Sequence, residues 1–245
     1  MNAMIFAAGL GTRLAPLTNH IPKALVRVHD QPLIWYALNN VIAAGAVNIV
    51  VNVHHHADNV VAYLKSFSEL RQDVQIHISN EQEELLETGG GLLKAKPFFI
   101  PDQPILIHNS DVLTNVNLKE LIAYHNQRKS LATLMVEERN TNRYFLFDSN
   151  DILCGWENTK SGEKLLLDDN KNLKRFAFDG IHVVDYIILN LMGEVRKFSI
   201  TKSYLEMAAN QQIIGWHQWK AQWFDIGTPE KLQDASNKFK YFAVK

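Results

Sequence analysis

With one cysteine, Cys154, the chain cannot close an internal disulfide. A reduced, cytoplasmic setting fits, and Cys154 reads as a small buried side chain without catalytic context. No apolar run approaches the length of a membrane span. The first residues lack a basic region followed by a signal-type apolar core, so no leader is expected. Charge of either sign is not in excess: the formal net charge is -1. A global field for nucleic acid or anionic lipid is therefore absent, and neither is expected as a partner. There is no low-complexity tract, no linker and no internal repeat.

What is present is an alternation. From the start to about residue 137, short apolar, β-branched runs take turns with helix-like segments. Val47 to Val53 reads as a buried strand, Ile34 to Ala44 as a helix stopped by Gly45, and Leu118 to Arg128 as another helix. This pattern predicts a mostly parallel sheet with helices on both faces. After that the texture changes. Tyr144–Phe147, Ile152–Trp156, Leu165–Leu167 and Leu173–Phe178 read as short strands divided by turns such as Asp148-Ser149-Asn150-Asp151 and Asp168-Asp169-Asn170. They predict a small antiparallel insertion at about 143–178 within a single domain spanning 1–245. Gly180–Tyr186 then returns to the main sheet. Tyr204–Asn210 is expected as a helix, Ile213–Trp219 as a strand and Thr228–Lys240 as a closing helix.

Chemistry concentrates first in the loop after the opening strand. Ala8-Gly9-Leu10-Gly11-Thr12-Arg13 is glycine-rich and carries an arginine, and Lys23 follows in Pro22-Lys23-Ala24-Leu25-Val26. Glycines let backbone N–H groups approach an anion, and successive amides form a concavity for it. Arg13 and Lys23 add fixed positive charge. Two commoner glycine motifs do not fit. A P-loop needs Gly-Lys-Ser/Thr, which is missing. A dinucleotide fingerprint needs a third small residue where Leu14 stands.

The longer string, G-x-G-T-R-x-x-P-L-T followed by P-K-x-L-V, resembles the signature of the sugar-1-phosphate nucleotidyltransferases, the NDP-sugar pyrophosphorylases. The resemblance runs from residue 4 to about 232. It implies an α/β, Rossmann-like three-layer sandwich with a mixed, mostly parallel sheet. The implied reaction joins an NTP and a sugar 1-phosphate to give an NDP-sugar and pyrophosphate. No hexapeptide repeat is present, so the β-helix acyltransferase domain of some larger relatives is not expected. A monomer or homodimer is expected.

Two aspartates match the family's metal positions. Asp111 stands in Asn109-Ser110-Asp111 after a central strand, and Asp225 in Trp223-Phe224-Asp225-Ile226-Gly227-Thr228 near the end. Mg²⁺ takes oxygen ligands, commonly one or two carboxylates plus substrate phosphates. Arg13, Lys23 and Asp111 are the expected catalytic groups. Ala8, Gly9, Gly11, Thr12, Glu81, Thr88, Gly89 and Asn109 join Arg13 and Lys23 as expected nucleotide contacts. The segment Leu86-Glu87-Thr88-Gly89-Gly90-Gly91, read as opening a helix at Leu92, matches the part that lies against the nucleobase in relatives. Its E-T-G-G-G form resembles N-acetylmuramate 1-phosphate uridylyltransferases and some mannose-1-phosphate guanylyltransferase-like proteins, which favours UTP, with GTP second.

On the sugar side, Glu157, Asp179 and Gly180 match positions that meet the sugar. The Glu-Lys-Pro lysine that many relatives turn to the sugar phosphate has no counterpart in place in Trp156-Glu157-Asn158-Thr159-Lys160; Lys160 and Lys164 are the candidates to substitute, with a solvated surface lysine as the alternative. His54-His55-His56 is set aside as a metal site, because adjacent side chains converge poorly on one ion. Trp216, Trp219, Phe176 and Phe178 are expected to pack in the core. The alternatives are a CTP-dependent phosphocholine-type cytidylyltransferase and a non-catalytic sugar-nucleotide-binding regulator. Retention of Arg13, Lys23, Asp111 and Asp225 argues against the regulator.

Overall fold

The computed structural model describes residues 1–167, 172–217 and 221–240. In chain order the strands are β1 (Asn2–Phe6), β2 (Arg27–Val28), β3 (Gln31–Pro32), β4 (Asn48–Val53), β5 (Gln75–Asn80), β6 (Ile105–Asn109), β7 (Val112–Thr114), β8 (Ala132–Glu137), β9 (Arg143–Phe147), β10 (Leu153–Asn158), β11 (Glu163–Leu166), β12 (Lys174–Val184), β13 (Ile213–His217) and β14 (Trp223–Asp225). The α-helices are α1 (Leu33–Ala43), α2 (Ala57–Leu70), α3 (Glu87–Lys94), α4 (Leu118–Arg128), α5 (Ile188–Leu191), α6 (Ile200–Ala208) and α7 (Pro229–Lys238).

Strands β5, β4, β1 and β6 pair in parallel in that order. Chain order therefore reverses between β1 and β6, the switch point outside whose strand ends ligands bind in open α/β sheets. Next to β6 runs β12, antiparallel to it. β12 also pairs antiparallel with β8, and β8 pairs in parallel with β13. Alternating side chains feed opposite faces. Ala3, Ile5, Ile49, Val51 and Leu106 pack with α1, α2 and α4, while Met4, Val50, Ile105 and Ile107 pack with α3, α5 and α6. That is the expected three-layer sandwich, and strands buried on both faces account for the near-continuous apolar runs.

Strand β12 joins the two kinds of sheet. Its second half lies in the main sheet, and its first half pairs with β9, which leads through β10 to β11, all antiparallel. Two short strands had been expected at 173–178 and 180–186, and one continuous strand is found. Its register shifts between Phe178 and His182, where Gly180 takes φ 77°. This bend lets a single strand serve both sheets. A third small core, with Leu14, Val26, Val28, Leu113, Ile226 and Ala235, lies beneath the first loop. It ties the β2–β3 hairpin, β7, β14 and α7 to that loop. The turn Asp168-Asp169-Asn170 and Trp219 lie outside the described residues.

Candidate active site

The loop after β1 is held from behind. The amide of Ala7 donates to Asn52 Oδ1 at 2.8 Å, and Ser110 N donates to Phe6 O at 3.0 Å. Gly11 takes φ 67°, and a Cβ there would meet Lys23 Cβ and Thr18 Cγ2, each at 3.0 Å. Glycine thus permits both the left-handed turn and the close approach of the Lys23 segment. Gly9 has open space where a Cβ would project. Arg13 is exposed, and no described residue hydrogen-bonds its guanidinium. Lys23 Nζ is ion-paired with Asp111.

Strands β7 and β14 bring the two aspartates together. Asp225 is in register with Val112, and Ile226 N donates to Asp111 O at 2.9 Å. Both β7 and β14 are three residues long and were not anticipated. Asp225 Oδ2 accepts from Lys231 Nζ at 2.7 Å. Gly227 holds the junction: a Cβ there would stand 3.2 Å from Asp225 Oδ1 and 3.3 Å from Arg13 Nη2. The helix cap after it is Thr228, whose side chain accepts from Lys231 N, so Asp225 is not spent as a cap. Asp111 at the cleft and Asp225 on the neighbouring strand are the kind of carboxylate pair that, with substrate phosphates to complete the shell, suits Mg²⁺. Among the described residues no group of three or more His, Cys, Asp or Glu forms a fuller cage.

The loop, Lys23, Asp111 and Gly227 line a cleft of about 540 Å³ outside the carboxyl ends of β1 and β6, while Asp225 is not among the lining residues and reaches its edge only through Gly227. Ala8, Gly9, Gly11, Thr12, Arg13, Lys23, Thr88, Asn109 and Asp111, all named from the sequence, line the cleft. At its other end stand Leu85, Glu87 and Ser199. Glu87 belongs to the segment expected against the nucleobase but was not singled out as a contact. It has φ 59° although it is not glycine, its side chain is exposed, and no described residue bonds it. Left-handed backbone on a residue with a Cβ is strained, and such strain collects at functional sites.

Glu81 and the glycines of α3 require correction. Glu81 is fully buried: Oε1 accepts from Asn52 Nδ2 at 2.7 Å and Oε2 from Leu86 N at 3.0 Å. Its carboxylate braces the wall behind the cleft and has no free face for a base. Helix α3 starts at Glu87, so Gly89, Gly90 and Gly91 lie inside it. Their missing side chains make room for protein. A Cβ on Gly89 would strike the Phe198 ring at 2.3 Å, one on Gly90 would meet Arg196 O at 2.1 Å, and one on Gly91 Glu81 Oε1 at 2.7 Å. The amide of Gly89 donates to Phe198 O at 2.9 Å, and Thr88 Oγ1 accepts from Ile200 N at 3.0 Å. The segment thus clamps the start of α6.

A second cavity of about 550 Å³ opens on the antiparallel side, and Ser199 lines both. Phe145, Trp156, Phe178 and Leu165 supply apolar walls, with Arg139, Arg143, Lys202, Thr141 and Thr201 among the polar ones. The sugar-side residues named from the sequence do not line it. Glu157 is ion-paired with Arg175 at 3.1 Å, on the strand face opposite Trp156. Gly180 presses on Asn109, whose Nδ2 would be 2.6 Å from a Cβ. Asp179 is fully buried and lies 3.4 Å from Arg139 Nε. Burial, reinforced by Glu137 and opposed by Arg139, pushes its carboxyl up to about 8. Arg139 stacks on Trp223 at 4.2 Å, and Trp223 Nε1 donates to Asp179 O at 2.9 Å. This cluster links the second cavity to the strand that bears Asp225. Phe178, assigned to the core from the sequence, belongs partly to the cavity wall.

An anion cradle at the switch point, two carboxylates beside it and an adjoining cavity define an α/β protein that handles nucleotide phosphates. The nucleotidyl transferase family matches residues 2–148, and the chain belongs to it, among the sugar-1-phosphate nucleotidyltransferases. It is 29% identical over 234 residues to the N-acetylmuramate alpha-1-phosphate uridylyltransferase of Caulobacter vibrioides, covering 93% of this chain and 92% of that one. It is 36% identical over 136 residues to the mannose-1-phosphate guanyltransferase of Aspergillus oryzae, covering 56% of this chain and 37% of that protein. A probable mannose-1-phosphate guanylyltransferase of Arabidopsis thaliana is 28% identical, covering 94% of this chain and 62% of its own. The chain thus spans less than two thirds of these guanylyltransferases. In fold it is similar to a putative glucose-1-phosphate thymidylyltransferase of Bacillus anthracis, with TM-score 0.79 at 20% identity over 97% of this chain and 94% of that one. No described helix is long and apolar enough to cross a membrane.

Proposed function

We propose that this chain transfers a uridylyl group from UTP to a sugar 1-phosphate resembling N-acetylmuramate 1-phosphate, releasing pyrophosphate. The observation that carries it is the convergence of Gly9–Arg13, Lys23 and Asp111 on one cleft, with Asp225 paired beside Asp111 through β7 and β14, next to a second, aromatic-walled cavity. UTP is favoured because the uridylyltransferase relative matches over nearly its whole length, whereas the guanylyltransferases extend well beyond the match. GTP with mannose 1-phosphate is the second reading, supported by the 36% identity over 136 residues.

An oxygen of the acceptor phosphate attacks the α-phosphorus in line, the bond to the bridging oxygen breaks, and pyrophosphate leaves with that electron pair. The second pKa of a phosphate monoester is about 6, so the nucleophile is already anionic and no general base is needed. Catalysis then consists of alignment and neutralisation of mutually repelling anions. The loop amides and Arg13 grip the β- and γ-phosphates. Lys23 draws the α-phosphate and the nucleophile together. Asp111 and Asp225 would hold Mg²⁺, which supplies positive charge to the phosphates when bound. The second cavity receives the sugar ring.

A matrix of NTPs against sugar 1-phosphates and phosphocholine, with and without chelator, tests this by pyrophosphate release. UTP with N-acetylmuramate 1-phosphate is expected to give the highest kcat/KM, abolished by chelation. A preference for CTP and phosphocholine, or binding without pyrophosphate, would overturn it.

A further inference from the structure

With no counterpart of the Glu-Lys-Pro lysine, Lys23 is the one cation assigned so far to the acceptor, and none is assigned from the second cavity. Neither expected substitute reaches the second cavity. Lys164 is in register with Glu157, on the opposite face of the strands, and Lys160 stands in the exposed turn after β10. Neither is among the lining residues.

Strand register shows what replaces it. Phe145, Trp156 and Leu165 form one cross-strand row over β9, β10 and β11, and Arg143, Asn158 and Glu163 form the next. Residues two apart on a strand share a face. Arg143 therefore stands beside the aromatic floor, and it lines the cavity with Phe145, Trp156 and Phe178. No described residue bonds its guanidinium, unlike that of Arg139, which Glu137, Asp179 and Phe178 O occupy. Opposite, the first turn of α6 brings Lys202 to the same cavity. Its contact with Glu206 is 3.8 Å long and exposed, a pair of the kind that contributes little. Glu163 is the lining carboxylate, at the far end of the row with Asn158 between it and Arg143.

We infer that Arg143 and Lys202 hold an oxyanion of the acceptor sugar, over an aromatic floor that takes the apolar face of the ring. This rests on the second cavity being the acceptor site. The oxyanion is the 1-phosphate or a carboxylate carried on the ring, and the guanidinium fork with a flexible ammonium suits either.

Calorimetric binding of glucose 1-phosphate and N-acetylmuramate 1-phosphate to the wild type, Arg143→Ala, Lys202→Ala and Arg143→Lys tests it, with UTP binding as control. Each alanine variant is expected to weaken acceptor binding by about 10-fold or more, the loss typical of a charge-assisted hydrogen bond, with UTP affinity within about twofold and Arg143→Lys intermediate. Equal losses for both acceptors identify the phosphate; a loss confined to N-acetylmuramate 1-phosphate identifies the carboxylate. Unchanged acceptor affinity, an equal loss of UTP affinity, or a wild type that binds neither acceptor overturns the inference. Failure of the proposed reaction is read separately, as acceptor binding without pyrophosphate release.

Discussion

The two cavities are built by different means. The first cleft is made from loops at the carboxyl ends of parallel strands, where contiguous residues such as Gly9–Arg13 and Asn109–Asp111 line one space together. The second cavity is made from the pleat of antiparallel strands and one helix face, so its residues are spread from Arg139 to Leu205 and contribute one side chain at a time. A loop that binds with backbone leaves a compact motif. A strand face leaves only an alternation shared by every half-buried strand.

The comparison predicts its sharpest contrast in catalysis. Arg13→Ala and Asp111→Ala are expected to lower kcat on the order of 10²-fold or more, as loss of a charge-stabilising group does, with acceptor affinity nearly unchanged. A rate close to wild type would remove that residue from the mechanism. The boundary between the cavities comes next. Gly90→Ala forces a Cβ against Arg196 O, a backbone atom 2.1 Å away, and overpacking of this kind costs about 1–3 kcal/mol in denaturant unfolding. No loss of stability would mean that α3 is not pressed against the Arg196–Phe198 segment.

Asp179 offers a pH test. Its folded carboxyl titrates near 8 against an ordinary 3.8. The folded state therefore binds the extra proton between those values, and the stability this group contributes falls as pH rises through that window. Linkage gives a slope of at most about 1.4 kcal/mol per pH unit. Asp179→Asn should flatten that fall. His108 and His182 act in the opposite sense, since burial lowers them to about 4 and about 3 from 6.5. Their contribution is complete above 6.5 and declines as pH drops, so both variants should share the acid limb. An unchanged profile in Asp179→Asn would refute a protonated Asp179.

Smaller effects sharpen the contrast further. Trp156→Ala is expected to raise the acceptor KM by about 10-fold through lost stacking area, with the UTP KM unmoved; an equal rise in both would merge the two cavities functionally. Glu87→Gly relieves left-handed strain and should stabilise the fold by about 1 kcal/mol, while raising the UTP KM. If the KM stays put, Glu87 does not face the nucleotide.

Much of this was readable in advance. Helix α4 falls on its expected residues, 118–128, because its apolar period and the Asn117 cap agree. The glycine-rich loop, Lys23 and Asp111 could be picked out as candidates because each stands in a short, distinctive string, and the structure brings them to one cleft. Glu81 was misplaced because a carboxylate looks the same in sequence whether it faces a base or accepts from Asn52 and Leu86 N. The glycines of α3 misled for a similar cause: a missing side chain admits a ligand or a neighbouring ring equally well, and here Phe198 fills the space. That Arg143 and Lys202 line the second cavity was not legible, because surface cations carry no local mark of what they face.

Local chemistry alone thus determined the layer architecture, the glycine-rich loop at the switch point and the charged groups that follow the strand ends. Periodicity, glycine conformation and fixed charge are properties of short stretches, and short stretches carry them wherever they fold. Tertiary structure decided which strand face each residue of the second cavity occupies, which glycine spaces are filled by protein, and where burial raises the Asp179 carboxyl. Those outcomes depend on register, on the bend at Gly180 and on burial, all of which arise only between segments distant in the chain.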